Sequence, residues 1–164
     1  KQVKNLEAFT QKKSFYEGAV KPAAFQKASI EINSADSAAF DALYGIGPKL
    51  SARIISFRER LGGFYNVDQI KEVYGLPDST FRNILPRLSC NNKLVKKIDI
   101  NSADNRTLGR HPYIGYQYAG MILQYKKQHG NFKAVDDLYN LEGIKEEDLK
   151  KMLPYLTAGE SIEN

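Results

Sequence analysis

Apolar residues along this chain recur at helical spacing in short bursts, and each burst ends at a glycine or a proline. Ala35, Ala38, Ala39, Phe40 and Leu43 share one face of a helix that stops at Gly45-Ile46-Gly47. Asn33 is expected to cap that helix, with Asp36 three places on completing a capping-box-like start. Leu50, Ile54, Ile55 and Phe57 form the stripe of a second helix. It opens on Pro48, whose missing N–H costs nothing in a first turn, and it ends at Gly62-Gly63. A third helix is expected around Val67, Ile70 and Val73, capped by Asn66 or Asp68. After the turn Gly75-Leu76-Pro77, a fourth runs from Asp78 to Leu85 and stops at Pro86. No stretch alternates with period two for long enough to predict a strand, so the pattern reads as all-α.

The same pattern then repeats. Ile32-Asn33-Ser34-Ala35-Asp36 returns as Ile100-Asn101-Ser102-Ala103-Asp104, 68 residues later. The offset holds without a gap: Ile46-Gly47 meets Ile114-Gly115, Gly62 meets Gly130, Phe64 meets Phe132, Gly75 meets Gly143 and Pro86 meets Pro154. A register kept that long marks a duplication. The chain therefore divides into a leader at 1–31, a first module at 32–88, a linker at 89–99, a second module at 100–157 and a tail at 158–164. The leader is read as a short helix or disordered segment. The second module is read like the first: an Asn101 cap, a turn at Tyr113-Ile114-Gly115, a stripe of Ile122, Leu123 and Tyr125 ending at Gly130, and a last helix from Glu146 to Leu153. Helix, tight turn, helix, twice per module, is the expected architecture. Phe40, Phe57, Phe64, Phe81, Tyr125 and Phe132 are assigned to the cores, because stacking on nucleic-acid bases needs exposed rings.

Composition narrows the picture. Of 164 residues, 42% are hydrophobic and 26% charged, as in ordinary globular domains. No apolar run reaches the length that spans a membrane. No charged stretch followed by an apolar one opens the chain, and a start at Lys1 leaves open whether a signal or anchor was removed. One cysteine, Cys90, leaves no internal disulfide and no cysteine-based metal site. The net charge is +5, yet each module carries only +1, the excess lying in the leader and linker. A domain held to nucleic acid mainly by a basic patch would be more lopsided.

The stretch Leu43-Tyr44-Gly45-Ile46-Gly47-Pro48-Lys49, running on to Arg53 and Ile54, carries the clearest chemistry. Two glycines permit a sharp turn and close approach. The turn runs into a helix N-terminus, where unpaired N–H groups and the positive end of the dipole favour a phosphate oxygen. Gly47 and Lys49 are the expected amide donors, the Lys49 side chain adds charge, and Arg53 can reach a neighbouring phosphate. Ile46 pins the hairpin. Such contacts see phosphate rather than base edges, so they bind without sequence preference.

This stretch resembles the helix-hairpin-helix motif of DNA repair and competence proteins. The wider succession is more specific: Ile32-Asn33, then Gly45-Ile46-Gly47, then Phe57-Arg58, then Gly62-x-Phe64-x-x-Val67-Asp68, then a second turn. It is similar to the soluble domain of ComEA, the competence DNA receptor, and tandem modules of this kind are similar to those of Bacteroidetes ComEA-related proteins. The resemblance covers residues 30–157. It implies paired helix-hairpin-helix units of short helices, non-specific binding to double-stranded DNA, a role in DNA uptake, and a place outside the cytoplasmic membrane. Carried onto this chain, the phosphate-binding glycines fall on Gly45 and Gly47. The other turns depart from the motif: Gly75-Leu76-Pro77 loses a donor to proline, Tyr113-Ile114-Gly115 loses the first glycine and the lysine, and Gly143-Ile144-Lys145 loses the second glycine. Gly75, Gly115, Gly143 and Lys145 are therefore weaker contact candidates. The linker lysines Lys93, Lys96 and Lys97 are candidates for extending a DNA track from Lys49 and Arg53.

Other constellations carry less. His111 and His129 are not spaced with carboxylates as a metal set and read as structural or surface residues. Glu142, Glu146, Glu147 and Asp148 suit the start of the last helix and would repel phosphate there. Ser51 and Cys90 have no visible histidine partner, so no nucleophile is assigned. The expectation is a DNA-binding protein that is not an enzyme and uses no cofactor, metal or small-molecule substrate. The alternative is a protein-interaction scaffold that keeps the fold and has lost DNA binding. An exposed patch at Tyr113, Tyr116 and Tyr118 would favour it.

Overall fold

The computed structural model of the protein describes residues 29–159. The expectation for the leader falls largely on residues 1–28, outside the described residues. In the first module a strand β1 (Ile30–Glu31) leads to helix α1 (Ser37–Asp41), a hairpin turn, and helix α2 (Pro48–Leu61). A 3-10 segment at Val67–Glu72, a second turn, helix α3 (Asp78–Ile84) and a strand β2 (Leu88–Ser89) complete it. The second module repeats this order: β3 (Ile98–Asp99), α4 (Asn105–Gly109), α5 (Gly115–His129), a 3-10 segment at Val135–Asn140, α6 (Glu146–Met152) and β4 (Leu156–Thr157).

The chain is mostly helical, and the short strands correct the all-α expectation. β1 pairs with β2 and β3 with β4, both in parallel. Each pair is two residues long and clasps the beginning of a module to its end, extended by Ile32 N–H to Ser89 O at 2.9 Å and Ile100 N–H to Thr157 O at 2.9 Å. Two residues cannot display an alternation, so the hydrophobic pattern carried no sign of them.

The expected caps shift by three residues. Asp36 is the last extended residue before α1, and its carboxylate accepts from Ala39 N–H at 2.8 Å. Asp104 does the same for Thr107 N–H at 2.7 Å. Asn33 lies instead in a tight turn closed by Ala35 N–H to Glu31 O, too early to meet the helix. Its amide reaches across the module, accepting from Phe64 N–H at 2.6 Å and donating to Phe64 O at 2.9 Å and Asn91 O at 3.1 Å. Asn101 repeats this bridge to Phe132. The third helix is wound as 3-10 and leaves Val73 beyond its end. Gln69 Oε1 accepts from Asn66 N–H at 3.0 Å and Tyr65 N–H at 2.6 Å, which holds that short start.

Pro48 stands at the first position of α2, and Gly62 ends it with φ of +81°, as the sequence predicts. Ile54 and Leu61 are buried, and Phe40, Phe57, Phe64, Phe81 and Phe132 all join the cores. Tyr125 is half-buried, stacked on Phe132 at 5.3 Å between centroids. The linker is not a free tether: Lys96 N–H donates to Gly62 O at 2.8 Å, and Cys90 and Val95 pack against the first core.

The two modules share an interface built from residues that differ between the repeats. His111 stands where the first module has Leu43, Tyr113 where it has Gly45, and Tyr155 where it has Arg87. Tyr155 is fully buried within the first module's core. Its hydroxyl and that of Tyr113 both accept from Gln69 Nε2, at 2.7 and 2.8 Å. His111 is buried, with Nε2 3.2 Å from Leu61 O and Nδ1 accepting from Tyr113 N–H at 3.3 Å. A nitrogen that accepts from an N–H must carry a lone pair, so the ring is neutral with its proton on Nε2. Burial depresses the imidazole pKa to about 4, against the opposing pull of the Leu61 carbonyl. Tyr113 is thus a wedge between modules, and Tyr118 is half-buried against the second core. Of the three tyrosines whose joint exposure would favour a scaffold, only Tyr116 is well exposed, at 58%.

Candidate nucleic-acid interface

The first hairpin is shaped by what its residues can and cannot do. Leu43 and Ile46 are buried, and Ile46 N–H closes the turn on Leu43 O at 3.0 Å. Gly45 adopts φ of +83°, a left-handed conformation that a side chain would strain. A Cβ there would also lie 3.0 Å from Thr80 Cγ2 of α3, so the two hairpins of the module abut. Gly47 is extended and precedes Pro48, after which α2 runs for 14 residues. Among the described residues, no protein group accepts from the backbone N–H of Gly45, Gly47 or Lys49. Those donors stand at the positive end of the longer helix of this module, the arrangement that attracts an anion. The Lys49 side chain is exposed beside them.

Arg53, one turn along α2, is also exposed, but it is not free-standing. Its Nη1 donates to Tyr74 O at 3.1 Å, and its guanidinium lies 5.1 Å from the Tyr74 ring centroid. It covers Gly75, whose φ is also +83°. Arg53 therefore joins the first turn to the second. At the second turn, Pro77 supplies no donor, and the adjoining Asp78 carboxylate is paired with Arg82. Gly75 thus sits next to the first turn, and its N–H, like that of Gly45, has no acceptor among the described residues.

The remaining candidates are elsewhere. Gly115 begins α5 with φ of +63°, but its N–H is already donated to His111 O at 3.0 Å, and Tyr113 is engaged with the first module. Gly143 has φ of +93° and is covered by the Met121 side chain, where the first module has Arg53. Lys145 precedes α6, whose first turn holds Glu146, Glu147 and Asp148. Lys96 lies beside Gly62 at the far end of α2 from Lys49, and fourteen helical residues separate those ends by roughly 20 Å. Lys93, Lys96 and Lys97 are all exposed, and the fold does not gather them with the first turn. Two residues of this face escaped the sequence reading: Tyr44 and Tyr74, each preceding a turn glycine and each 84% exposed. Their position ahead of a left-handed glycine was the available signal.

The helix-hairpin-helix motif matches the chain twice, over residues 26–89 and 94–157. The chain belongs to this helix-hairpin-helix family as two tandem copies, and the motif points to nucleic-acid binding as its general function. It is also similar to endonuclease/exonuclease/phosphatase family domain-containing protein 1 of Rattus norvegicus, Mus musculus and Homo sapiens, at 24% identity over 144 residues. That match covers 70% of this chain, and the chain spans about a quarter of the length of those relatives (25%). Among the described residues, no helix is long and apolar enough to cross a membrane, and no three His, Cys, Asp or Glu side chains converge.

Proposed function

We propose that this protein binds double-stranded DNA without sequence preference, through backbone phosphates at the first hairpin turn. The observation that carries this reading is the set of unpartnered amides at Gly45, Gly47 and Lys49, at the head of α2 and flanked by the Lys49 and Arg53 cations. A phosphate oxygen placed there accepts from the amides and lies near both side chains. The protein acts by binding rather than catalysis. A role in DNA uptake, as in the competence receptors its sequence resembles, fits a non-specific grip on the backbone.

Duplex DNA of random sequence, titrated by fluorescence anisotropy at low and moderate salt, tests this. Binding is expected to weaken with salt on a shallow slope, because few phosphates are neutralised. Lys49→Glu with Arg53→Glu should abolish it while the circular dichroism spectrum stays unchanged. Absence of binding at low salt would overturn the reading. A second reading, an interaction scaffold, is favoured for the second module alone: its first turn has spent an amide on His111 and its tyrosine on the first module.

A further inference from the structure

Two tyrosines of the first module stay outside its core. Tyr44 precedes Gly45 and Tyr74 precedes Gly75, and the two glycines share the same φ of +83°. In each turn the residue after the glycine, Ile46 or Leu76, packs on the core, while the tyrosine before it is turned outward. Both residues are 84% exposed; Tyr116, at 58%, comes next among the described large apolar residues. A tyrosine stabilises a fold through the area it removes from water, and these two remove little. The turns that carry them abut, with Gly45 against Thr80 and Arg53 bonded to Tyr74 O and lying over the Tyr74 ring. The second module lacks the whole device: Pro112, Glu142 and Met121 stand at the positions of Tyr44, Tyr74 and Arg53.

We propose that Tyr44 and Tyr74 stack on nucleobases and give the first module a preference for DNA with open base faces, at single strands, gaps and frayed ends, over continuous duplex. The inference rests on the DNA-binding reading above and names the substrate within it. An exposed ring beside a cation and a phosphate-accepting turn is the combination by which proteins hold unpaired bases. Inside a continuous duplex each base face is covered by its neighbours, so the same rings find only sugar edges there. Three carboxylates lie near this face: Glu72 lines the groove with Arg53 and Tyr74 and pairs with Lys151 at 3.6 Å, Asp78 is engaged by Arg82, and Asp41 ends α1 three residues before Tyr44.

The test compares a closed DNA dumbbell, which has no ends, with a single strand and a gapped duplex of matched length. Wild type should bind the two open substrates about tenfold more tightly than the dumbbell. Tyr44→Ala with Tyr74→Ala should lose that preference and keep the dumbbell affinity. Tyr44→Phe with Tyr74→Phe should retain it, since the ring face is what stacks. Equal wild-type affinity for all three substrates, or a double alanine variant weakened equally on all, would overturn the inference. The dumbbell measures phosphate binding alone, so wild-type failure on every substrate brings down the DNA-binding reading itself and this inference with it.

Discussion

Asn33 shows how one side chain can replace a stretch of secondary structure. Its carboxamide bonds both backbone groups of Phe64 and the carbonyl of Asn91, joining the start of the first module to the end of α2 and to the linker. Asp36, by comparison, bonds one exposed N–H. Asn33→Ala leaves partly buried backbone groups without partners and should cost about 2 kcal/mol. Asp36→Ala removes a helix cap and should cost about 1 kcal/mol. Urea denaturation of the two variants measures both, and the reverse order would restore Asn33 to a mere capping role. From sequence the two residues look alike, because both are good caps near a helix start. What separates them is Phe64, 31 residues away, which only folding brings within reach.

At the scale of the element, α2 is the axis of the first module, and its two ends behave differently. Gly62 ends the helix with φ of +81°, and a Cβ there would lie 2.8 Å from Lys96 O. Gly47 is extended, and a Cβ there meets nothing within 4 Å. Gly62→Ala should therefore destabilise the protein by roughly 2 kcal/mol, combining left-handed strain with a clash against backbone. Gly47→Ala should stay within about 0.5 kcal/mol of wild type. Thermal unfolding followed by circular dichroism distinguishes them. The boundaries of α2 were legible because proline and glycine act locally. The 3-10 winding at Val67–Glu72 was not, since helical spacing over six residues does not distinguish the two kinds of helix.

Across the whole molecule, the repeat is not symmetric in use. The second module turns His111, Tyr113 and Tyr155 toward the first, so its leading hairpin docks where its counterpart faces solvent. His111 makes that interface sensitive to acid. Its folded pKa of about 4 lies below the ordinary 6.5, so the unfolded chain binds the extra proton between these values. The contribution of the neutral ring is fully present above pH 6.5 and is lost as the pH falls toward 4, by ~3 kcal/mol at most. Stability measured by denaturant between pH 7 and 5 should fall in wild type and much less in His111→Leu, which restores the residue of the first repeat. An equal fall in both would show that the ring is not the sensor.

The sequence alone determined the duplication, the helical modules and the glycine and proline turn positions, and it singled out the first hairpin as the candidate for phosphate binding. All of these rest on short-range rules: side-chain periodicity, the missing proline N–H, and the freedom of glycine. Tertiary structure decided which amides stay unpartnered, which tyrosines are wedges and which are exposed, and that Lys96 of the linker lies at the opposite end of α2 from Lys49. Those outcomes depend on contacts between residues tens of positions apart. Tyr113 and Tyr74 both flank hairpin turns in the sequence, yet one is held between modules by Gln69 and the other stands in solvent under Arg53. Local composition cannot separate them, because the difference lies in what the folded chain places opposite each ring.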